Sequence, residues 1–213
     1  MSLHLIIGDK RYSSWSLRPW LALALTGEAF TGEAFTDQVI RLNQADTTRL
    51  ILEHSPTGKV PALKCEHGTI VDSLAICEYL AERFPNAGLW PADVAARAQA
   101  RSACAQMHSG FVGLRSRLPM DLRQDEALEV IAVEAQADID RMVALWRECR
   151  AVSGVKEGFL FGTPGIVDAF FAPVAVRFRT YRVALPADAA AYVETIYQWP
   201  AFKRWQQAGL EEG

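Results

Sequence analysis

The sequence predicts an α/β N-terminal half followed by an all-helical C-terminal half. In residues 1–84, short apolar runs alternate with segments of helical periodicity in the order βαβαββα. A stretch rich in proline and glycine, residues 85–91, interrupts this pattern. Beyond it the chain is rich in alanine, and apolar residues recur at helical spacing. We therefore expect two units, residues 1–84 and 92–213, joined by a linker over residues 85–91.

Four strands and two helices are expected before residue 72. They are strand 3–7, helix 15–25, strand 37–42, helix 47–54 and strands 61–64 and 69–71. The last two strands flank Glu66-His67-Gly68, whose glycine can adopt the positive φ of a hairpin turn. The five residues Gly27–Thr31 are repeated at once as Gly32–Thr36. This duplication is too short to be a structural repeat, so we expect it to lengthen one loop.

The remaining elements are predicted to be helices. One begins at Ser73, which we expect to be its N-cap. Long segments of helical periodicity follow near residues 93–118, 124–151 and 165–182. In the last of these, Gly165 stands at the expected cap position, and Asp168 is placed to bind nearby backbone N–H groups of the first turn.

Composition excludes several classes of protein. The chain has 213 residues, of which 50% are hydrophobic, and 22 Lys and Arg against 25 Asp and Glu give a net charge of −3. Such a chain folds around a sizeable core, and it lacks the basic excess of general nucleic-acid or anionic-membrane binding. No apolar run approaches the ~18 residues of a membrane span. We expect a cytoplasmic protein that binds neither nucleic acid nor membrane.

The four cysteines are widely scattered along the chain. They are Cys65, Cys77, Cys104 and Cys149, and they form no CxxC or Cys/His metal spacing. In a reducing compartment, cysteines with such spacing behave as small hydrophobic residues of the core. We expect no disulfide and no metal site.

Hydroxyl groups cluster where the first strand meets the first helix, in the segment Tyr12–Trp20. A helix N-terminus offers free N–H groups and the positive end of the helix dipole, so hydroxyls there can contribute to an anion site. The alternative is that Ser13 or Ser14 only caps the helix.

Two further segments contain candidate binding groups. In Ser55–Leu63, a cis bond before Pro61 would turn the backbone of Val60 outward, whereas a trans bond would leave a plain loop. In Val71–Leu80, a strand runs into a helix, whose N-terminus can hold a carboxylate, while Asp72 can hold an amine.

Together, in this order and followed by a helical half, the three segments resemble the glutathione S-transferase superfamily over nearly the whole chain. The resemblance implies a thioredoxin-like N-terminal domain, a helical-bundle C-terminal domain, glutathione as co-substrate, a small electrophile as second substrate and a homodimer. Residues Ser13–Arg18 are similar to the zeta-class motif of paired serines followed by a cysteine, but Trp15 stands in the cysteine's place. This departure weakens the case for the zeta-class reaction, maleylacetoacetate isomerisation.

The resemblance also implies roles for individual residues. Ser13 or Ser14 would donate a hydrogen bond to the glutathione sulfur, with Tyr12 as a third candidate. Val60, before a cis Pro61, would pair with the tripeptide backbone, and Asp72 and Ser73 would hold its γ-glutamyl end. The neighbouring Trp15 and Lys59 complete the expected glutathione-binding set.

The second substrate is expected between the two halves. The candidate pocket residues are Tyr12, Met107, His108, Phe111, Arg115 and Arg177. His108 could instead be a surface or core residue, and the arginines at 177, 179 and 182 could bind an anionic electrophile or form a solvated face. The expected activity is glutathione transfer, as in detoxification, and the alternative is a binding protein of the same fold without catalysis. A cysteine-dependent thiol–disulfide oxidoreductase is disfavoured, because residues 13–16 contain no cysteine.

Overall fold

The computed structural model of the chain describes residues 3–30 and 35–212. The N-terminal half contains β1 (His4–Gly8), α1 (Ser14–Phe30), β2 (Thr36–Ile40), α2 (Thr47–Leu52), β3 (Ala62–Cys65), β4 (Gly68–Val71) and α3 (Ser73–Arg83). This is the predicted order of elements. Each lies within a few residues of its predicted position, except that α1 continues to Phe30.

The four strands form one mixed sheet in the order β2-β1-β3-β4. Strand β1 is parallel to β2 and antiparallel to β3, and β3 and β4 form an antiparallel hairpin. Gly68 has φ +106° in that hairpin, as the sequence predicted. The sheet with its flanking helices is the thioredoxin-like domain that was expected.

Strand β1 is central because both of its faces are apolar. Leu5, Ile6 and Ile7 are all fully buried. Leu5 and Ile7 belong to the main core, whereas Ile6 packs in a smaller cluster on the opposite face of the sheet with Ile40 and Ile51. Helices therefore cover both faces of the sheet, and the catalytic candidates at the end of β1 have a rigid support.

The five-residue duplication does not lie wholly in a loop. Helix α1 extends to Phe30, so the first copy, from Gly27, continues the helix instead of lengthening a loop as predicted. Alanine and glutamate favour helix, and only one glycine interrupts the run. Residues 31–34, which include most of the second copy, lie outside the described residues.

The N-cap of α3 is Asp72, and the prediction that Ser73 caps this helix was wrong. Asp72 Oδ1 accepts hydrogen bonds from the N–H groups of Leu74 at 2.8 Å and Ala75 at 3.4 Å. The backbone of Asp72 has φ +77° and places its carboxylate over the first turn. Aspartate and serine are comparable caps, so sequence alone does not decide between neighbours.

The C-terminal half is helical and follows a short 3₁₀ turn at Pro85–Ala87. Its helices are α4 (Val94–Ser109), α5 (Val112–Arg117), α6 (Val133–Ser153), α7 (Ile166–Thr180), α8 (Ala187–Gln198) and α9 (Pro200–Glu211). The predicted helix 93–118 is divided at Gly110 and Phe111, where Phe111 has φ +56°. The helix predicted from residue 124 begins only at Val133. Helices α8 and α9 have no counterpart among the predicted segments.

Helix α9 fixes the loop that precedes the serine-rich segment. Trp205 packs edge-on against Trp20 of α1, with ring centroids 5.4 Å apart, and its indole N–H donates to the carbonyl of Lys10 at 2.9 Å. The carboxylate of Glu212 accepts from the N–H groups of Lys10 and Arg11 at 2.9 and 3.1 Å. The two halves therefore share a continuous core, and the first loop depends on the last helix.

Asp168 is a fully buried carboxylate in the first turn of α7. It accepts from the N–H groups of Gly165 at 3.0 Å and Leu160 at 3.3 Å, and from the hydroxyl of Tyr192 at 2.7 Å. Its burial raises its pKa to about 6 despite these donors. The expected binding of N–H groups by Asp168 is confirmed. Gly165 stands at the cap because a Cβ there would lie 3.0 Å from the carbonyl oxygen of Leu89.

Within the described part of the chain, no helix combines the length and apolarity needed to cross a membrane. All four cysteines are free thiols. Cys77, Cys104 and Cys149 are buried, and burial raises the pKa of each of these thiols. They pack as apolar core residues, as expected from their spacing.

Candidate active site

Three candidate segments meet at one end of the sheet. Strand β1 ends there and leads to Ser13 and Ser14, and β3 begins there after Val60 and Pro61 because it is antiparallel to β1. Strand β4 is antiparallel to β3, so its end, followed by Asp72, lies at the same edge. Topology therefore brings together three segments that are up to 60 residues apart in sequence.

The hydroxyl of Ser13 is used in hydrogen bonds within the protein. Ser13 is only 6% exposed, and its hydroxyl donates to Oγ of Ser16 at 2.7 Å. The N–H of Ser16 in turn reaches Oγ of Ser13 at 3.3 Å, and Oγ of Ser16 accepts from the N–H of Gly8 at 3.1 Å. This network ties the start of α1 to the end of β1, as a capping serine does.

Ser14 differs from its neighbour. It is the first residue of α1 and is half-buried. Within residues 3–30 and 35–212, no hydrogen-bond partner is found for its hydroxyl. Tyr12 is 43% exposed, and its ring lies under the guanidinium of Arg11, with Cζ 4.6 Å from the ring centroid. Of the three candidate hydroxyls, that of Ser14 is both accessible and positioned at the helix N-terminus.

The loop before β3 presents a backbone edge. The Val60–Pro61 peptide bond is cis. Val60 is half-buried, and neither its N–H nor its C=O takes part in a backbone hydrogen bond with the residues that the structure describes. Lys59 is exposed beside it. An extended peptide can pair with such an edge through main-chain hydrogen bonds.

The N-terminus of α3 contains an unused hydroxyl. Because Asp72 caps the helix, Ser73 Oγ is left buried and has no partner among the described atoms. Buried polar groups normally have a hydrogen-bond partner, so this hydroxyl points to a ligand. Oδ2 of Asp72 lies 3.2 Å from Nε2 of His108 in α4, which links this corner to the helical half.

Side chains from both halves surround the indole of Trp15 in α1. The guanidinium carbons of Arg18 and Arg115 lie 4.3 and 4.8 Å from the centroid of its indole ring. The ring of His108 meets the same indole edge-on at 5.2 Å. Burial, assisted by the charges of Arg18 and Arg115, lowers the pKa of His108 against the opposing effect of Asp72, so this imidazole is mainly neutral at pH 7.

Two arginines of this region are buried. Arg18 is 1% exposed, and its Nε and Nη1 have no hydrogen-bond partner among the described residues. Arg177 is 4% exposed; its Nη1 donates to the carbonyl of Pro173 at 3.0 Å, and its Nε has no partner there. Burial, assisted by the neighbouring guanidinium groups, lowers the pKa of Arg18 to about 9 and that of Arg177 to about 10. Both side chains remain cationic at neutral pH.

The other predicted pocket residues are divided between the cleft and the core. Met107 and Phe111 are buried in the main core. Arg179 and Arg182 form surface ion pairs with Glu194 and Asp125, so the solvated-face interpretation holds for these two arginines. Arg177, in contrast, faces inward.

Sequence reasoning did not include Arg18 among the candidate site residues. The available signal was its position in α1 between Leu17 and Leu21, which are both fully buried. An arginine on the apolar face of a helix is rarely buried unless it is paired. Among the described residues no three or more His, Cys, Asp or Glu side chains converge as a metal site would require.

Comparison with known proteins places this geometry in a family. The sequence matches the glutathione S-transferase N-terminal domain over residues 12–83 and the glutathione S-transferase C-terminal domain over residues 94–208. It is also 26% identical to a maleylacetoacetate isomerase of Pseudomonas aeruginosa over 198 residues, covering 90% of this chain and 84% of that protein.

Solved structures show the same fold. A glutathione transferase homologue from Burkholderia gl BGR1, crystallised with bound glutathione, has a TM-score of 0.72 at 23% identity, with all of both chains covered. A glutathione transferase Omega 2S from Trametes versicolor, in complex with 2,4-dihydroxybenzophenone, has a TM-score of 0.71 at 21% identity, covering 99% of this chain and 96% of that one. With both halves matched in sequence and the fold shared throughout, the chain belongs to the glutathione S-transferase family.

Proposed function

We propose that the protein is a glutathione transferase in which the Ser14 hydroxyl stabilises the glutathione thiolate for attack on a small electrophile. The observation that carries this proposal is the set of three unused polar groups at one end of the sheet. These are the hydroxyl of Ser14, the backbone of Val60 and the buried hydroxyl of Ser73.

These three groups match the chemistry of the tripeptide. A thiolate is favoured at the N-terminus of α1, where a hydroxyl and the helix dipole both stabilise negative charge. The cysteinyl backbone can pair with Val60, and the γ-glutamyl carboxylate can accept from Ser73 at the N-terminus of α3. Asp72, already at this corner, would then attract the ligand's amine.

The electrophile would occupy the cleft beside Trp15, His108 and Arg115. There the thiolate sulfur attacks an electron-poor carbon, by addition, by substitution with loss of a leaving group, or by reversible addition in an isomerisation. Maleylacetoacetate isomerisation is the named activity of the Pseudomonas relative. The replacement of the zeta-class cysteine by Trp15 favours conjugation over this isomerisation.

The binding part of the proposal is tested by calorimetric titration of glutathione into wild type and Ser73→Ala. Loss of a hydrogen bond to a charged group costs about 1.5–3 kcal/mol, so affinity should fall about 10- to 100-fold. Ser102→Ala, a change of an exposed serine on α4, is the matched control and should bind as the wild type does. Equal affinity in all three proteins would contradict the proposed ligand.

Replacing Asp72 with asparagine is expected to weaken glutathione binding about 3- to 10-fold with little change in melting temperature. Asparagine keeps the capping oxygen and tolerates positive φ, but it loses the charge that attracts the amine. Calorimetry and thermal unfolding of the same samples separate the two effects. A large loss of stability with unaltered affinity would identify Asp72 as purely structural.

A glutathione-binding protein of the same fold without catalysis is the alternative. Titration with glutathione combined with a panel of electrophiles distinguishes the two, because binding without turnover would favour the alternative.

The proposal also includes a homodimer in the cytoplasm and a domain boundary over residues 85–91. Sedimentation and limited proteolysis, respectively, test the dimer and the boundary.

A further inference from the structure

Three arginine side chains from three different helices converge behind the cleft. Arg18 of α1 and Arg115 of α5 lie on the Trp15 indole, and Arg18 also contacts the ring of Phe170 at 4.6 Å. Burial, followed by the charges of Arg177 on α7 and of Arg115, lowers the pKa of Arg18, and burial followed by the charge of Arg115 lowers the pKa of Arg177. None of the three forms an ion pair with a carboxylate within the described part of the chain.

This arrangement is costly without an anion. Buried arginines are normally paired with carboxylates, and like charges in the interior repel each other. Here aromatic rings, not carboxylates, contact Arg18, and cation–π contacts offset only part of the cost. The nearby thiols of Cys77 and Cys104 are fully buried and their pKa values are raised, so they supply no negative charge at neutral pH.

The contacts of the neighbouring groups indicate which of the three arginines an anion could reach. Oδ2 of Asp72, at the γ-glutamyl corner, lies 3.2 Å from Nε2 of the neutral His108, and within the described residues Asp72 forms no ion pair with any of the three arginines. Arg115 is half-exposed, and its hydrogen bonds reach only the carbonyls of His108 and Gly110, at 3.4 and 3.2 Å. Arg115 is therefore the accessible member of the cluster, whereas Arg18 and Arg177 are buried.

We propose that Arg115, supported by Arg18 and Arg177, receives the carboxylate of an anionic electrophile bound beside the glutathione sulfur. This inference rests on the proposed function and names its substrate class, which is an electrophile with a carboxylate close to the reacting carbon. Arg115 makes the contact, because a guanidinium suits a carboxylate. Arg18 and Arg177 are positioning residues that add positive potential in a site of low dielectric constant.

The test compares two electrophiles that carry either a carboxylate or an uncharged carboxamide at the same ring position. In 4-chloro-3-nitrobenzoate and 4-chloro-3-nitrobenzamide, the thiolate sulfur forms a bond to the ring carbon, and chloride leaves with the electron pair of the broken bond. The wild type should show a kcat/KM for the acid at least tenfold above that for the amide, after correction for their uncatalysed rates. Arg115→Met should reduce this preference to twofold or less.

Matched controls are available on the same helices. Arg117→Met on α5 and Arg179→Met on α7 each remove one arginine that is paired with a surface carboxylate, Glu134 or Glu194. Both variants should keep the preference for the acid. Arg177→Met should lower the preference for the acid. Arg115→Lys keeps the charge and should retain part of the preference, so this variant replaces Arg115→Met if the methionine variant fails to fold.

A binding measurement separates this inference from the proposed function. The affinities of 3-nitrobenzoate and 3-nitrobenzamide, titrated with S-methylglutathione present and absent, require no turnover. If neither chloro compound is conjugated, the proposed catalysis fails. Tighter binding of the benzoate than of the benzamide, lost in Arg115→Met, would still support the anion site. Equal binding of acid and amide, or a preference unchanged in Arg115→Met, overturns it. A loss of glutathione affinity alone in that variant would assign the arginine to a carboxylate of glutathione and would also overturn it.

Discussion

Replacing Ser14 with alanine is expected to slow conjugation about tenfold at pH 6 and to make it several-fold faster than the wild type at pH 9. The two rates should be equal near pH 7.6. This reversal follows if the Ser14 hydroxyl lowers the pKa of the bound thiol by about two units, from its ordinary value of about 8.5.

Two opposing effects produce the reversal. At pH 6 the lower pKa increases the thiolate fraction about 75-fold, whereas at pH 9 the fractions differ by about a third. A less basic thiolate is also a weaker nucleophile, by about eightfold for two units at a Brønsted slope near 0.45. The larger thiolate fraction of the wild type dominates the rate at low pH, and the lower nucleophilicity of its thiolate dominates at high pH. At pH 7 the net gain is only about threefold, so most of the acceleration must come from positioning the two substrates.

The measurement is the pH profile of conjugation together with the thiolate absorbance of bound glutathione. Ser13→Ala is the matched control: it should cost about 1 kcal/mol of stability as a lost cap and leave the thiolate titration in place. Tyr12→Phe should likewise leave the titration unchanged. If only Ser13→Ala moves it, the roles of the two serines are reversed. If no replacement moves it, the backbone N–H groups or the Trp15 indole hold the sulfur, and the serine-type assignment fails.

The largest expected change in stability comes from Asp168→Ala, which should lower the free energy of unfolding by about 3 kcal/mol. The replacement leaves three buried donors without an acceptor, namely the N–H groups of Leu160 and Gly165 and the hydroxyl of Tyr192. Asp188→Ala is the control, since Asp188 lies in the first turn of α8 but pairs with Arg147 at the surface. Its loss should cost less than about 1 kcal/mol in urea unfolding. Equal effects of the two changes would contradict the structural role of Asp168.

Asp168 also makes stability depend on pH. Its pKa is about 6 in the folded protein, above the ordinary value near 3.8 that it regains on unfolding. Below pH 4 the carboxyl is protonated in both states, and as the pH rises towards 6 the unfolded state ionises first. The free energy of unfolding therefore falls over this window, by about 3 kcal/mol from this group. The difference between wild type and Asp168→Asn, measured from pH 4 to pH 7, should show this decline; a constant difference would contradict it.

The order of strands and helices in the first half was predictable because apolar periodicity and turn residues act locally. Where the prediction was wrong, a backbone conformation outside the regular helix decided. The break at Gly110 and Phe111 interrupts an otherwise helical pattern, and the cap of α3 depends on the positive φ of Asp72. Helices α8 and α9 were also predictable in principle, because buried residues recur at helical spacing in both, as at Tyr192 and Ile196 of α8 and at Phe202 and Trp205 of α9.

The resemblance also implied that the three segments form one site, and they meet at one end of the sheet, but the different surroundings of the two serines could not be predicted. Ser13 and Ser14 have equal claims in sequence, because both precede an apolar helical run. The structure distinguishes them through the contact of Ser13 with Ser16, whose hydroxyl reaches back to Gly8. The position of Arg18 beside Leu17 and Leu21 indicates burial, whereas its contact with Phe170 joins two helices that are distant in sequence and is contained in no local pattern.

The attachment of the first loop to the end of the chain has a consequence for synthesis on the ribosome. The hydrogen bonds from Lys10 and Arg11 to Glu212 join residues 202 and 201 positions apart, and that from Trp205 to Lys10 spans 195. The sheet and its helices can assemble while the chain is still growing, because domains fold as units from the N-terminus. The ion pair of Arg11 with Asp121 can hold this loop earlier, but its hydrogen bonds with Trp205 and Glu212 form only after α9 has emerged, so the loop that leads to Ser14 completes its contacts last.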